Sequence, residues 1–285
     1  MTAGEAARPR VPAVTVAVAC FALGIIAGAF TDQWNASRAI PVATESPAPS
    51  ATPVASASPT PAASASPVAG VASAAPDATA AAAVTPPLDL TAHSVDDPGS
   101  VWVVVNKVRP LDPQDYAPDD LQAVADVPGG ATMRADAAAA MTALHAEAVD
   151  AGAGFTITTG YRDHDLQASL YDGYVADRGR EAADMFSARP GYSEHQTGLA
   201  ADIQADGCRL EACFADTAAG RFVAAHAWEH GFIVRYPDDE RDVTGYIYEP
   251  WHLRFVGVEL ATWMHRAGET TLERVFGLDP APDYR

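Results

Sequence analysis

The pattern of apolar and polar residues predicts short strands in the C-terminal part of the chain. VWVVV and FTITT are rich in β-branched residues, and LAADI alternates apolar residues with an alanine and an aspartate. Such runs are typical of strands, because successive side chains point to opposite faces of a sheet. The predicted strands are 101–105, 155–159, 199–203 and Phe232–Tyr236, and residues 246–255 are predicted to be extended but interrupted by Pro250.

Apolar residues at helical spacing predict helices between these strands. The predicted helices are 134–149, 163–177, 218–230, 258–266 and 271–276. In the second of them, Leu166, Leu170 and Tyr174 are spaced four apart, which predicts that they form its buried face. Because helices and strands mix without regular β–α–β alternation, we predict an α+β fold with a small, mostly antiparallel sheet and helices packed around it.

An uncharged apolar segment near the N-terminus, VPAVTVAVACFALGIIAGAF (residues 11–30), predicts a transmembrane helix. Arg8 and Arg10 precede it, so we expect residues 1–10 to be cytoplasmic and the rest to lie outside a cell membrane that the chain crosses once. A cleaved signal peptide is the alternative, although its apolar core usually has about 7 to 15 residues. A lipoprotein linked through Cys20 is less favoured, because the apolar run continues beyond that cysteine.

Residues 31–87 are predicted to form a disordered linker, since most of this segment consists of Ala, Pro, Ser, Thr and Val. Prolines prevent a helix there, and small side chains bury too little apolar area to fold. The linker would hold the following domain away from the membrane. We therefore expect the chemistry within residues 88–285, which suffice for one domain with its own core.

The charge balance is acidic, with 37 Asp and Glu against 18 Lys and Arg and a formal net charge of −19. This balance argues against nucleic acid as a partner.

We also expect a monomer. Cys208 and Cys213 lie close together, and two such cysteines in an extracytoplasmic protein most often form a disulfide, with a pair of free thiols as the alternative.

Candidate metal-ligating side chains occur in two motifs. In SEHQTGLAADI, strand alternation places Asp202 on the polar face, and His195 lies in the preceding loop. In YEPWHLRF, His252 follows Glu249 by three positions. Catalytic zinc sites use three protein ligands, commonly imidazoles and carboxylates, and a further carboxylate can take the proton of the activated water. Glu249 and His252 would point to opposite faces of a regular strand, so both can face a metal only if the chain bends at Pro250.

Together these motifs resemble the zinc D-alanyl-D-alanine carboxypeptidases of the VanY type. The family pattern is Ser-x-His-x-x-Gly-x-Ala-x-Asp followed by Glu-x-x-His. This sequence meets it with Ser193, His195, Gly198, Ala200, Asp202, Glu249 and His252. VNKVRPL, TGYRDHDLQ, ARPGYSEHQTG, HGFIVRYP and TGYIYEPWHLRFVG are also similar to the family, in the same order, from about residue 101 to the C-terminus.

The resemblance implies a zinc peptidase site. His195, Asp202 and His252 would bind Zn²⁺, and Glu249 would be the general base. The implied substrate is a peptidoglycan stem peptide that ends in D-Ala-D-Ala. A D,D-dipeptidase or a wall-peptide endopeptidase with the same site is one alternative, and a wall-binding module that has lost its catalysis is another. A two-histidine, one-carboxylate iron oxygenase is disfavoured, because its first two ligands are commonly only two positions apart.

The resemblance also implies substrate-binding residues. Arg162 would bind the substrate and stabilise the oxyanion, a role that suits a guanidinium because it offers paired donors. Gln167 and Ser193 would help to hold the peptide. Asp163 is a departure, since the family often has serine after Tyr-Arg.

Overall fold

The computed structural model describes residues 88–285. The predicted cytoplasmic segment 1–10, transmembrane helix 11–30 (with Cys20) and linker 31–87 lie outside the described residues. Within 88–285, no helix combines the length and the apolar character that crossing a membrane requires.

Strands and helices are mixed irregularly along the described residues. The strands are β1 (Leu121–Ala123), β2 (Thr132–Arg134), β3 (Thr156–Thr159), β4 (Ala200–Ala205), β5 (Cys208–Arg209), β6 (Phe232–Tyr236) and β7 (Glu249–Phe255). The helices are α1 (Ala135–Asp150), α2 (His164–Arg178), α3 (Arg180–Ala183), α4 (Ala218–His226), α5 (Arg241–Thr244), α6 (Val258–Ala267) and α7 (Leu272–Val275). Short 3-10 turns cover Glu194–Thr197, Ala212–Asp216 and Ala227–His230. The predicted helix 218–230 is thus α4 continued by a 3-10 turn.

The main sheet is antiparallel and has β4 and β7 near its centre. Its order is β3-β4-β7-β6, and the short β5 pairs with the end of β4 on the edge opposite β3, since Gln204 pairs with both Thr156 of β3 and Arg209 of β5. β1 and β2 form a separate antiparallel pair, which the sequence pattern did not predict. The α+β prediction with a mostly antiparallel sheet is confirmed for the described residues.

The main core lies between one face of the sheet and helices α1 and α4. Leu199, Ala201 and Ile203 point into this core, as their alternation predicted. A second, smaller core contains the inner faces of α6 and α7. Asp202 lies on the opposite face of β4 from Ala201 and Ile203, so the sheet separates the core from the polar site.

The prediction of a strand at residues 101–105 is wrong. The segment is apolar because it is buried between the two cores, with Val103 packed in the main core and Trp102 in the smaller one. Its carbonyl groups accept hydrogen bonds from the side chains of Arg109 and Arg254 rather than from another strand. The Arg254 guanidinium donates to Val101 O at 3.0 Å and to Val103 O at 2.8 Å.

Helix α2 is present, but its predicted buried face is only partly covered, since Leu170 and Tyr174 are half-buried and Leu166 is exposed. Leu166 is 48% exposed, and the buried residues of α2 are Gln167 and Tyr171. Asp163 is its N-cap and accepts a 2.8 Å hydrogen bond from Leu166 N. Tyr171 donates to Asp184 Oδ1 at 2.6 Å. Helix α2 is therefore held by polar contacts as well as by the packing of Tyr174 against Phe186, and apolar spacing does not reveal the polar ones.

Candidate active site

Strand pairing brings two candidate metal ligands together. Asp202 of β4 lies directly opposite His252 of β7 in the antiparallel register. Nδ1 of His252 is 2.9 Å from Asp202 Oδ1, and Nε2 of His195 is 3.2 Å from Asp202 Oδ2. The carboxylate therefore stands between the two imidazoles.

His195 reaches this point from the 3-10 turn Glu194–Thr197, just before β4. Its Nδ1 lies 2.7 Å from the carbonyl oxygen of Gly160. A carbonyl only accepts, so Nδ1 carries the proton and Nε2 is free to bind a metal. Gly198 ends the turn with φ of 70°, and a Cβ there would lie 2.9 Å from Arg134 Cγ. Both the backbone conformation and the lack of space explain the glycine of the motif.

The three side chains fit a catalytic zinc ion. One ligand atom from each of His195, Asp202 and His252 lies within 4.8 Å of the others, and all three residues are buried. Two imidazoles and one carboxylate are a donor set that catalytic zinc sites use.

Charges within the site set the protonation of these groups. Burial lowers the pKa of His195 to about 4, and the positive charge of Arg162 acts in the same direction. Burial also disfavours charge on His252, but its contacts with Asp202 and Glu194 outweigh this and raise its pKa to about 9. Burial opposes the charge of Asp202 as well, yet the two histidines hold the pKa of Asp202 well below its usual range. A metal must therefore displace a proton from His252.

The interruption predicted at Pro250 is wrong, because β7 runs unbroken from Glu249 to Phe255, but its pairing with β6 is irregular there. Leu253 pairs with Val234 and Glu249 pairs with Tyr236, so β7 uses four positions where β6 uses two. Proline is tolerated at such a point because no ladder hydrogen bond needs its missing N–H. This register shift lies in the stretch between Glu249 and His252 where the bend was predicted.

Glu249 is a buried carboxyl group close to the candidate ligands. It is 6% exposed, and burial raises the pKa of Glu249 to about 8. The charges of His252, Asp202 and Arg162 also act on this carboxyl group. Such a group changes its protonation near neutral pH, which a general base requires.

The predicted substrate-binding residues lie beside the metal ligands or in neighbouring loops. Arg162 N donates to His195 O at 3.2 Å, and the buried Arg162 Nε has no hydrogen-bond partner within 88–285. Gln167 is buried and donates to Ala188 O at 2.7 Å, which leaves its Oε1 without a partner in the same range. Ser193 is buried just before the 3-10 turn, but its side chain makes no capping hydrogen bond there.

A fully buried ion-pair network, which the sequence pattern did not predict, lies behind His252. Glu194 Oε1 accepts from Arg235 Nε at 2.9 Å and from Arg254 Nη1 at 2.7 Å. Arg235 also donates to both carboxylate oxygens of Glu273, at 2.7 and 3.0 Å. The available signal was an arginine inside each of two strands, β6 and β7, where a charge needs a buried partner.

Cys208 and Cys213 form a disulfide, as predicted. Cys208 pairs with Ala205 in the β4–β5 hairpin, and Cys213 lies in the 3-10 turn Ala212–Asp216. The bridge therefore joins the hairpin that follows Asp202 to the turn before α4.

The sequence matches the profile of a known protein family. The profile of the VanY family, described as D-alanyl-D-alanine carboxypeptidase, matches residues 130–258. Putative carboxypeptidase YodJ of Bacillus subtilis (strain 168) is 37% identical over 192 residues, which cover 64% of this chain and 69% of YodJ.

Solved structures show the same relationship. The LdcB LD-carboxypeptidase has a TM-score of 0.59 and 37% identity, with 63% of this chain and 87% of that chain covered. A vancomycin resistance D,D-pentapeptidase VanY from a VanB-type resistance cassette, solved with Zn(II), has a TM-score of 0.52 and 31% identity, with 60% and 96% covered. The chain therefore belongs to the VanY family of D-alanyl-D-alanine carboxypeptidases.

Proposed function

We propose that this protein is a zinc-dependent D,D-carboxypeptidase that removes the terminal D-alanine from peptidoglycan stem peptides. The observation that carries the proposal is the convergence of His195, Asp202 and His252 beside the buried carboxyl group of Glu249. The family membership and the Zn(II) in a related structure support the same assignment.

In this proposal, His195 and His252 would hold zinc through Nε2 and Nδ1, and Asp202 would hold it through its carboxylate. Zinc, when bound, supplies a Lewis acid that lowers the pKa of water towards 7 and polarises a carbonyl group. Glu249 accepts a proton from the attacking water on its carboxylate. It then delivers that proton to the amine nitrogen of the departing D-alanine. The peptide C–N bond breaks and the shortened peptide keeps a new carboxylate.

Arg162 is proposed to bind the substrate and to stabilise the oxyanion. Its buried Nε has no partner in the part of the chain described here, so a donor is available for an oxygen that gains charge. Its backbone N–H bonds to His195 O, which fixes the arginine relative to a proposed metal ligand. Gln167 and Ser193 are proposed to hold the peptide, and Gln167 would do so through Oε1, because its amide nitrogen already binds Ala188 O.

We further propose that residues 11–30 anchor the protein in the cell membrane, with residues 31–87 as a linker and the catalytic domain outside. Only the sequence pattern supports this part of the proposal. A long linker would let a membrane-bound domain reach wall peptides at a distance.

An L,D-carboxypeptidase is the second candidate, because LdcB, an LD-carboxypeptidase, has the TM-score of 0.59 and 37% identity given above. Such an enzyme would release D-alanine from a tetrapeptide rather than from a pentapeptide. The D,D-dipeptidase and endopeptidase alternatives would cut D-Ala-D-Ala itself or a cross-bridge. A wall-binding module without catalysis is disfavoured, since Glu249 and the whole donor set are retained.

The test measures products from a stem pentapeptide, a stem tetrapeptide and the D-Ala-D-Ala dipeptide with the zinc-loaded protein. We expect D-alanine release mainly from the pentapeptide. Glu249→Gln should retain zinc and lose activity by at least about 10³-fold, within the 10²–10⁴ range of general acid–base catalysis. Glu259→Gln, at an exposed position of α6, is the matched control. Preference for the tetrapeptide would establish the L,D activity, and full activity of Glu249→Gln would refute the role of the base.

A further inference from the structure

We propose that Glu194 is a positioning residue that fixes the tautomer of His252, with the proton on Nε2 and the lone pair of Nδ1 left for the metal. This inference rests on the proposed zinc function. Glu194 Oε2 lies 3.6 Å from His252 Nε2, and both atoms are buried. Within residues 88–285, neither atom has a hydrogen-bond partner. Two unsatisfied polar atoms that face each other across so short a gap need only a small approach to form a hydrogen bond.

The rest of the network holds Glu194 in this orientation. Its Oε1 accepts from Arg235 and from Arg254, and the three side chains are fully buried. The Arg254 guanidinium is fixed in turn by the carbonyl oxygens of Val101 and Val103. Two immobilised cations therefore stabilise the carboxylate charge and leave its Oε2 directed at His252.

The direction of the hydrogen bond determines the tautomer of His252. An ionised carboxylate only accepts, so Glu194 favours the proton on Nε2 and leaves the Nδ1 lone pair towards Asp202 and the metal. The rings of Tyr236 and His195 also pack against this imidazole, with centroids 4.9 Å away in both cases. Ring contacts restrict its plane, but they do not select which nitrogen carries the proton.

If Glu194 had only a structural role, both of its carboxylate oxygens would be expected to accept hydrogen bonds within the network. Glu273, in the same network, uses both oxygens: Oε1 accepts from Arg235 and Asn106, and Oε2 accepts from Arg235. Glu194 instead places both arginines on one oxygen. The unused oxygen faces the proposed metal ligand, which is the arrangement expected of a carboxylate that orients a ligating histidine.

Glu194→Gln tests the inference because the two arginines dictate how the amide is oriented. The glutamine oxygen must face the arginines, so its NH₂ group faces Nε2 of His252 and favours the wrong tautomer. We expect the dissociation constant of zinc, measured by competition with a chelator, to rise by roughly 10- to 100-fold. Glu273→Gln removes a carboxylate from the same network without touching His252. It should lower the melting temperature similarly and keep the zinc affinity of the wild type.

A second measurement uses the unaltered protein and does not depend on how the variant folds. Long-range ¹H–¹⁵N spectra of the zinc-loaded protein should show His252 protonated at Nε2, with that proton in slow exchange with water. Protonation at Nδ1, or equal zinc affinity in Glu194→Gln and the wild type, would overturn the role of Glu194 and leave the peptidase proposal standing. A wild-type protein that binds no zinc would instead overturn the proposed function itself.

Discussion

Asp202 and His252 face each other across β4 and β7, and Asp202 Oδ1 lies 2.9 Å from His252 Nδ1. Backbone pairing of two central strands, rather than a mobile loop, therefore sets the distance between these two proposed ligands. His195 joins them from a turn that Gly198 closes immediately before β4. A site built in this way is preorganised, because its ligands need no rearrangement of the chain to meet.

Asp202→Ala should abolish tight zinc binding and leave the sheet intact. We expect the dissociation constant to rise more than about 100-fold, since changes outside the ligand set alone cost 10- to 100-fold. Chelator competition measures the affinity, and circular dichroism checks the fold. Gln204→Ala, two positions along the same face of β4, should bind zinc like the wild type. Normal zinc affinity in Asp202→Ala would exclude the aspartate as a ligand.

Zinc binding should release protons and strengthen as the pH rises. The pKa of His252 is raised to about 9 in the metal-free protein, so this imidazole is protonated at neutral pH and its proton competes with the metal. His195, with a pKa lowered to about 4, is already neutral there. Affinity should therefore rise at least about tenfold per pH unit between about pH 6 and 8, with at least one proton released per ion. Titration calorimetry in buffers of different ionisation enthalpy measures the release, and heats independent of the buffer would contradict it.

Arg162→Lys should lower kcat by about 10²- to 10³-fold, the cost of losing one oxyanion donor. Lysine keeps the charge but cannot reproduce the planar pair of donors. Steady-state kinetics on the stem pentapeptide checks this, with zinc content measured in parallel. Arg178→Lys, on the exposed end of α2, is the matched control and should behave like the wild type. An unchanged kcat in Arg162→Lys would remove this arginine from the proposed mechanism.

Replacing Cys208 and Cys213 by serine should destabilise the domain by about 2 kcal/mol, the low end for disulfides, because the bridge closes a short loop. Denaturant unfolding measures this loss. D-alanine release should change little, since neither cysteine belongs to the group of candidate ligands. A loss of activity without a loss of stability would instead show that the hairpin shapes the cleft.

Apolar patterns predicted most of the helices and strands, because these elements depend largely on the residues within them. The alternation in Leu199–Ala201–Ile203 assigned β4 and its polar face correctly. The apolar run at 101–105 led to a wrong strand prediction, because a segment buried between two cores has the same composition as a buried strand. The predicted burial of Leu166 was wrong for a related reason. Helical spacing identifies an apolar face but does not show whether a neighbouring element covers it.

The candidate metal ligands and the base were predicted from the sequence, but the buried ion pairs around Glu194 were not. His195, Asp202, Glu249 and His252 lie in short motifs whose spacing is visible in the sequence. The contact of Glu194 with Arg235 joins residues 41 positions apart, and its contact with Arg254 joins residues 60 apart. Only the tertiary structure brings such partners together, so their pairing could not be read from either motif.

Anomalous diffraction at the zinc absorption edge, on crystals of the zinc-loaded protein, locates the ion relative to its proposed ligands. We expect one strong peak bonded to Nε2 of His195, Nδ1 of His252 and a carboxylate oxygen of Asp202, with Glu249 beside the ion but not bonded to it. A peak elsewhere, no peak, or zinc bonded to Glu249 in place of one of these three ligands would exclude the proposed zinc site.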